Sequence, residues 1–505
     1  MKKAVLVLAA ALAAGAYAAP EKVLELEFAD QNAMITAAGK VGEFSGVPTL
    51  GPLVMMGIAN NPFASELGAP RAGARARVAI FVDSVPKTAA TFCDVASHTF
   101  FVVLYPTSRT KEQFIEAKGK AAKDEGLFVK YDGMAYQFSQ DGKWVAFSEV
   151  KNVNIAKSVL ASVDASKSFA EGDVARLTVA EKGFGLLVDL LNSPDVKAKL
   201  QELPNAKLIG ELSDAVASLS GLELTLRVTD LGVDLDGRCT MKSGSKYEHI
   251  GEIPLSSTTP LAFAGRDSVV AAAYGKGMLT WDVYKYFAGF KGIFEKRGVK
   301  TGFFDVAKAG STTTLSLDIP AAIAYFTGEG KAALAKAFEG ETPEAIVKTP
   351  EAIVKEVSDL MPTVLFDQPE QAISLRIKGL SAYATPTERI ARAVPDLGSR
   401  KYTSMGVGSL YSILKGVVGI VAETPVLKEQ KDSVKGLLAT LPPETGADIV
   451  FLSWREGADI KGLIRFTPAE IKGLVTGVTT VLATATAGNS TKPVAVPADA
   501  DDDDD

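Results

Sequence analysis

Two stretches of this sequence align without a gap, and each has the pattern of a β-hairpin. They are residues 222–241 and 447–466, and each consists of a strand, a polar turn and a second strand. The alignment matches three pairs of identical residues, Gly232 with Gly457, Asp234 with Asp459 and Gly237 with Gly462. A unit that recurs in both parts of a chain is typical of a duplicated architecture, so the hairpins predict two related halves.

The first hairpin strand alternates between apolar and polar residues. Over residues 222–228, leucine or valine occupies every second position, and Glu223, Thr225 and Arg227 lie between them. A period of two places one side of a strand on a core and the other side toward water. The second hairpin is apolar throughout residues 449–452, which favours a strand that is covered on both faces.

The order of the predicted elements indicates the fold class. A strand, a helix, three strands and a second helix follow one another over residues 100–163, and the first of these helices is predicted for residues 110–125. Short turns between successive strands indicate an antiparallel sheet with helices on one side. We therefore predict an α+β protein with two related halves, each an antiparallel sheet packed against helices.

Length and composition divide the chain into four regions. A chain of about 490 residues, the length left after removal of a signal peptide, is too long for one ordinary core. We predict a signal peptide at residues 1–18, a first lobe at 19–265, a second lobe at 266–484 and a disordered acidic tail at 485–505. The tail is rich in glycine, proline, alanine and aspartate, a composition that cannot bury enough apolar surface to fold.

Residues 1–18 have the features of an export signal. Lys2 and Lys3 precede an uncharged apolar run, and residues 16–18 fit the small-x-small cleavage rule. The run is too short to span a bilayer as a stable helix, and no later segment offers a charge-free run of about 20 apolar residues. These patterns predict an exported soluble protein, periplasmic or secreted, with no transmembrane segment after signal cleavage.

The charge balance argues against nucleic acid as a partner. Lysine and arginine total 54, aspartate and glutamate total 60, and six of the acids lie in the tail, at Asp499 and at Asp501 to Asp505. The rest of the chain is therefore nearly neutral. Phosphate binding needs a clustered positive surface, so we expect no nucleic acid partner.

Few residues offer metal or cofactor chemistry. The only cysteines are Cys93 and Cys239, and the only histidines are His98 and His249, at spacings that fit no standard zinc site. An oxidising compartment permits a disulfide between Cys93 and Cys239, whereas a buried thiol acting as a small apolar residue explains Cys239 equally well. We predict no metal, no cofactor and no catalytic residues.

Residues 234–237, with the sequence Asp-Leu-Asp-Gly, match a fragment of a calcium-binding loop. Such a loop needs an acid or amide two residues earlier and a carboxylate six residues after the glycine, where this chain has Gly232 and Ser243. We therefore predict a turn rather than a calcium site.

A family likeness rests on residues 146–163, on residues 193–206 before the first hairpin, and on residues 466–475 after the second. Through these segments the chain resembles uncharacterised exported bacterial proteins of the domain-of-unknown-function class. Those proteins have a signal peptide followed by repeated strand–helix–hairpin units over most of the chain. The resemblance implies that fold, and it implies no activity and no site residue.

The sequence favours a non-enzymatic binding protein or an envelope-associated structural protein, whose partner is an unknown envelope protein or an apolar ligand. One alternative is a carrier of an apolar ligand such as a lipid, held between sheet and helices. It is suggested by a hydrophobic content of 47% and by apolar stripes in residues 281–294 and 411–421. A second alternative is a carboxylate-based hydrolase, because 60 acids allow many pairings.

Overall fold

The computed structural model describes residues 20–83, 98–163, 169–192, 206–256, 261–278, 282–337, 369–398, 400–425 and 431–489. The predicted signal peptide, Cys93 and residues 490–505 of the acidic tail lie outside these ranges. Within them, no helix is both long enough and apolar enough to cross a membrane.

Strands and helices alternate irregularly along the described chain. The strands are β1 (Glu21–Phe28), β2 (Arg77–Val82), β3 (Thr99–Tyr105), β4 (Lys123–Asp124), β5 (Val129–Tyr131), β6 (Met134–Phe138), β7 (Val145–Glu149), β8 (Asp173–Ala180), β9 (Leu219–Thr229), β10 (Gly232–Met241), β11 (Ser268–Tyr274), β12 (Phe304–Ala309), β13 (Thr312–Leu317), β14 (Gln371–Ile377), β15 (Tyr402–Gly408), β16 (Ile449–Glu456) and β17 (Asp459–Phe466). The α-helices are α1 (Gln31–Ser45), α2 (Leu50–Ala59), α3 (Pro62–Leu67), α4 (Lys111–Lys118), α5 (Val153–Ala161), α6 (Glu181–Leu191), α7 (Ala206–Ala217), α8 (Val283–Lys296), α9 (Ile319–Thr327), α10 (Glu329–Ala337), α11 (Pro386–Ala393), α12 (Leu410–Ala422), α13 (Lys431–Thr440) and α14 (Pro468–Asn489).

The strands form one continuous, mostly antiparallel sheet. Their order across the sheet is β4-β5-β6-β7-β3-β2-β1-β8-β9-β10-β17-β16-β15-β11-β14-β13-β12. The pair β13–β14 is parallel, unlike the other pairings of the described strands. The sheet and its helices confirm the predicted α+β class, with this one departure from an antiparallel arrangement.

The two predicted hairpins are present, and they pair with each other. β9 and β10 form the first hairpin, β16 and β17 form the second, and β10 lies antiparallel to β17. Each hairpin has a two-residue turn, at residues 230–231 and 457–458. Gly232 therefore begins a strand, whereas Gly457 lies in a turn. The ungapped sequence alignment is displaced by two residues from the alignment of the turns, so its identical residues do not occupy equivalent positions.

Five strands on each side of the β10–β17 pair have the same order. On one side the order is β2-β1-β8-β9-β10, and on the other it is β14-β11-β15-β16-β17. Among the described residues, α6 and α7 lie between the third and fourth strands of the first set, and α12 and α13 lie between those of the second. The strands of both predicted lobes therefore contribute to a single sheet.

Local signals determine where α4 begins and ends. The Thr110 side chain accepts a hydrogen bond from the Gln113 N–H, and the Gln113 side chain accepts one from the Thr110 N–H, which is a capping box. Gly119 follows Lys118 with φ at 56°, a conformation that glycine adopts at little cost. The helix ends there and β4 follows, so the helix predicted to reach residue 125 is too long.

Three clusters of buried apolar residues form the core of the described chain. Two lie around β3 and β7, and one of these is covered by α5. The third lies on β11, β15 and β16, beneath Leu255, Leu261 and α11. This third cluster includes Leu463 of β17 and so extends to the junction of the two hairpins.

Candidate binding site

One face of the sheet at the junction of the hairpins is charged. Every second residue of β9, β10 and β17 points to this face, according to the pairing registers. We call it the charged face, and its polar members are Glu223, Thr225, Arg227, Asp234, Asp236, Arg238, Thr240, Asp459, Lys461 and Arg465.

A buried ion pair between Asp234 and Arg465 joins the two hairpins. The residues lie opposite each other on β10 and β17, and the Nε and Nη2 of Arg465 donate to the two carboxylate oxygens at 2.7 and 2.6 Å. The Nη1 of Arg465 also donates to the carbonyl oxygen of Ala393 at 2.7 Å. Because both side chains are almost fully buried, each charge depends on the other for compensation.

Further ion pairs extend the charged face toward β1 and β2. The Nε of Arg227 donates to Asp173 at 2.7 Å, and its Nη1 lies 3.1 Å from Asp236. On β1, a carboxylate oxygen of Glu27 lies 3.0 Å from the Nε of Arg77. Burial raises the pKa of Asp236, and the neighbouring Arg227 acts in the opposite direction. Ion pairs thus extend across the sheet from β10 to β2.

An open cleft of about 660 Å³ lies over the charged face. At its rim, the Nε of Arg238 and the hydroxyl of Thr240 donate to Asp459 at 2.7 and 2.6 Å. The hydrogen bond from Thr240 is the main reason that the pKa of Asp459 is lowered. Asp234, Asp236 and Asp459 each face an arginine. The cleft therefore presents compensated charges at these positions rather than a pair of free carboxylates.

Residues 234–237, which match part of a calcium loop, lie inside strand β10 and not in a turn. Their two aspartates face Arg465 and Arg227. Across the described residues, no three side chains of His, Cys, Asp or Glu are grouped so that they could hold a metal ion.

The opposite side of the same strands is apolar. The register places leucine and isoleucine side chains of β9, β10, β16 and β17 side by side on this surface. We call it the apolar face, and its apolar members are Leu222, Leu224, Leu226, Val228, Val233, Leu235, Cys239, Ile449, Phe451, Ile460, Ile464 and Phe466.

At the centre of the two faces, the burial is the reverse of what their polarity predicts. Leu226 and Ile464 on the apolar face are 38% and 39% exposed, whereas Asp234 and Arg465 on the charged face are 2% and 7% exposed. Exposed apolar surface costs about 25 cal/mol per Å² relative to buried surface. A contiguous apolar surface of this kind is typical of a site that binds a ligand or a partner.

The burial of β16 shows the same asymmetry. Val450 and Leu452 are buried, whereas Ile449 and Phe451 are only half-buried. The strand was predicted to be covered on both faces; the side that contributes to the third core cluster is buried, whereas the other side is only partly covered.

Two glycines form a hollow in the middle of the apolar face. Gly237 and Gly462 lie directly opposite each other on β10 and β17. A Cβ atom on Gly462 would meet only the Leu452 carbonyl oxygen, at 3.6 Å, and one on Gly237 would meet Leu224 at 3.4 Å. Both positions have room for a side chain, so the absence of one leaves open space above the strands.

Helices border the apolar face. In α6, a Cβ atom on Gly183 would lie 2.9 Å from the Val179 side chain, and Val179 lies opposite Leu222 in the sheet. This close approach places α6 on the apolar side. Helix α1 packs against β8, β9 and β10, and its Lys40 pairs with Asp230 in the first hairpin turn at 2.8 Å. Helix α14 packs in turn against α1 and α12.

The two apolar stripes noted in the sequence contain both buried and exposed residues. In residues 411–421, Tyr411 is buried, whereas Leu414 and Val418 of the same helix are exposed. In residues 281–294, Val283 and Ile293 are buried. One side of each stripe is therefore ordinary core, and α12 in addition presents exposed apolar side chains.

Cys239, one of the two residues of the predicted disulfide, lies on the apolar face. It is half-buried between Leu222 of β9 and Ile460 of β17, and burial raises the pKa of its thiol. Its proposed partner Cys93 lies outside the described residues, so the disulfide stays a prediction.

Two buried acids near α14 had not been singled out from the sequence. Glu470 is fully buried and accepts hydrogen bonds from the Ser409 hydroxyl at 2.6 Å and the Tyr411 N–H at 3.1 Å, which ties α14 to the start of α12. Asp448 accepts from the Nε of Arg389 at 2.6 Å and from the Tyr383 hydroxyl. Burial raises the pKa of both carboxyl groups. The T-x-x-E pattern at 467–470 is the sequence signal that could have drawn attention to Glu470.

The Glu470→Gln variant is expected to gain stability relative to the wild-type protein as the pH rises above 4.5, the ordinary pKa of a glutamate. Because the pKa of Glu470 is raised in the folded state, its carboxyl group contributes fully to the stability of the wild-type protein below the ordinary pKa. That contribution is lost as the pH rises through the folded-state pKa. Glutamine does not ionise and escapes this loss. Urea unfolding between about pH 4 and about pH 7 measures the difference.

The Asp459→Asn variant provides a comparison of opposite sign. Because the pKa of Asp459 is lowered, its contribution is lost as the pH falls below the ordinary value of 3.8. The loss of unfolding free energy of this variant, relative to the wild-type protein, should therefore become smaller in acid. A stability difference for Glu470→Gln that does not change with pH would contradict the expectation.

No family model matches the sequence, and no curated protein matches it. The chain is similar to two solved structures, described as crystal forms I and III of TP0453. Their sequence identities are 9% and 11% and their TM-scores 0.22 and 0.24, over 44% of this chain and 75% and 78% of those chains. At these scores the likeness carries no argument about fold or function.

Proposed function

We propose that the chain is an exported, non-enzymatic binding protein that holds an apolar ligand, such as a lipid, against the apolar face. The observation that carries this proposal is the reversed burial, in which Leu226 and Ile464 are open while Asp234 and Arg465 are buried. Covering the remaining exposed surface of each of the two apolar side chains would contribute about 1 kcal/mol to binding. The glycine hollow at Gly462 provides space for a ligand at the centre of this surface.

The three aspartates that pair with arginine on the charged face favour a structural role over hydrolysis. A carboxylate-based hydrolase needs one carboxyl group free to act as an acid and another free to act as a base or nucleophile. Asp234, Asp236 and Asp459 are each held by an arginine. These ion pairs stabilise the junction of the hairpins, and the binding role is assigned to the opposite face.

We also infer that the chain consists of two related halves. The shared order of five strands supports this inference, as does the β10–β17 pair. When the hairpin turns are aligned, Asp236 is equivalent to Leu463, and these two residues lie opposite each other. On either side of them, each pair is the counterpart of another: Asp234 pairs with Arg465, and their equivalents Lys461 and Arg238 pair with each other. A local two-fold axis produces this pattern. The apolar face would thus be built from one hairpin of each half.

Native mass spectrometry of the full chain, expressed with its own signal, tests the proposal. We expect a mature chain that carries extra mass, and fragmentation should identify that mass as a lipid. The double variant Leu226→Thr, Ile464→Thr should lose the added mass, because hydroxyl groups on the apolar face weaken its contact with an apolar ligand. The same spectrum reports the cleavage site of the signal peptide.

The matched control is Leu127→Thr, which changes a residue that is 76% exposed between β4 and β5. It should retain the ligand. A bare chain that also fails to bind a fluorescent fatty acid would contradict the proposal, as would equal retention of ligand by the double variant and the control.

A further inference from the structure

A second apolar surface lies outside the sheet, on α2 and α3. Residues 44–65 contain no aspartate, glutamate, lysine, arginine or histidine, although 23% of the whole chain is charged. A run of this length without charge is unusual for a segment that faces water. It covers all of α2 and most of α3.

Three large side chains of α2 point into solvent. Leu53, Met55 and Met56 are between 48% and 57% exposed, whereas Phe63 of α3 is 41% exposed and its ring also packs 5.2 Å from that of Phe147. Gly51 is the one described residue of α2 that is buried, and a Cβ atom there would lie 3.4 Å from the Cα of Gly39 in α1. Helix α2 therefore packs on α1 through its glycine side and directs its apolar residues away from the protein.

The amide side chain of Asn61, at the start of α3, is already satisfied within the chain. The side chain of Asn61 caps α3 by accepting from the Ala64 N–H at 2.8 Å, and it also donates to the Ile58 carbonyl. Protein interfaces usually carry about one hydrogen bond per 100–200 Å² and a polar rim. An uncharged surface of leucine, methionine and phenylalanine instead matches the acyl region of a lipid layer, where polar and charged groups are costly.

Cationic side chains lie at the end of α3. The Nη1 of Arg109 donates to the Glu66 carbonyl at 2.8 Å, and the Nζ of Lys118 lies 3.1 Å from the Glu66 carboxylate. Two positive charges against one negative charge leave this end of the apolar surface positive. Anionic lipid headgroups attract such cations next to an inserted apolar helix.

We propose that α2 and the start of α3 dock the protein on a lipid surface, with α2 lying in the plane of the interface. A helix of ten residues is about 15 Å long, which is too short to cross a bilayer. Helix α1, which carries α2, also packs against β9 and β10. Docking would therefore hold a lipid surface close to the strands that bear the apolar face. The docking surface itself does not depend on the proposed ligand site.

Sedimentation of the full chain with lipid vesicles tests the docking surface. The vesicles contain phosphatidylcholine with a minor fraction of phosphatidylglycerol, and pure phosphatidylcholine serves for comparison. The wild-type protein should bind both and should bind the anionic vesicles more tightly. The double variant Leu53→Ser, Met56→Ser should bind the anionic vesicles about tenfold more weakly, because two side chains no longer enter the apolar layer.

Leu127→Ser is the matched control, and its vesicle binding should equal that of the wild-type protein. The exposed positions of all three substitutions predict an unchanged free energy of unfolding. The double variant should still bind fatty acid in solution, and Leu226→Thr, Ile464→Thr should still bind vesicles. Failure of the docking surface can therefore be told apart from failure of the ligand site.

Three results would overturn the proposal. The first is a wild-type protein that does not sediment with either kind of vesicle. The second is a double variant that binds as tightly as Leu127→Ser. The third is a dimer in the absence of vesicles that dissociates in the double variant, because this would assign the surface to a second copy of the chain.

Discussion

The Arg465→Met variant is expected to lose about 3–5 kcal/mol of unfolding free energy, because it leaves the Asp234 carboxylate buried without its partner. Asp234 receives two hydrogen bonds from Arg465, at 2.7 and 2.6 Å, and both side chains are almost fully buried. The pair joins β10 to β17 and therefore holds the two hairpins together. Urea unfolding followed by circular dichroism measures the loss.

The same two strands provide the control. Arg238 and Asp459 also form an ion pair between β10 and β17, but the Arg238 side chain is 48% exposed. The Arg238→Met variant should therefore lose less than about 1 kcal/mol. The double variant Asp234→Leu, Arg465→Met should recover much of the stability, because no charge is left buried. Equal losses from Arg465→Met and Arg238→Met would show that burial does not govern these pairs.

The Gly462→Val variant is expected to bind a fluorescent fatty acid at least about tenfold more weakly, a loss of about 1.4 kcal/mol. A Cβ atom at this position meets only a carbonyl oxygen at 3.6 Å, so there is room for the first atom of the new side chain. It would fill the hollow in the apolar face that we assign to the ligand. Replacing a strand glycine with a β-branched residue should meanwhile raise stability by about 0.5–1 kcal/mol.

Opposite changes in stability and binding make this a demanding test, because misfolding cannot produce them. Gly221→Val is the matched control. Gly221 is likewise a strand glycine, in β9, with open space around it, but the register points it to the charged face. It should leave fatty acid binding unchanged. Equal weakening by the two valine variants, or a stabilised Gly462→Val protein that binds normally, would contradict the assignment of the site.

The hairpins could be predicted from sequence because their signals are local. Alternation in residues 222–228 and a short polar turn define β9 and β10, and the predicted ends differ from the observed ones by few residues. The pairing of β10 with β17 could not be predicted in this way. It joins Asp234 to Arg465, which lie far apart in the chain, and no local pattern specifies such a partner.

Which face of the hairpins is buried also lay beyond the sequence pattern. Alternation assigns Leu226 to a core and Arg227 to water. In the fold, Leu226 is 38% exposed, whereas Asp234 and Arg465 of the charged face are buried because each compensates the charge of the other. Burial of a charge depends on a partner supplied by another strand. The candidate site therefore forms only when distant strands pair, and the sequence pattern could identify its residues but not their arrangement.

The joining of two strand sets through β10 and β17 also bears on how the chain folds. Until β17 has been made and placed, β10 has an unpaired edge whose backbone groups can pair with another chain. Contacts between such distant segments form slowly, since a long loop must close first. The β10 edge is therefore open to aggregation until the C-terminal part of the chain is complete. Pairing with β17 of the last hairpin removes this exposed edge.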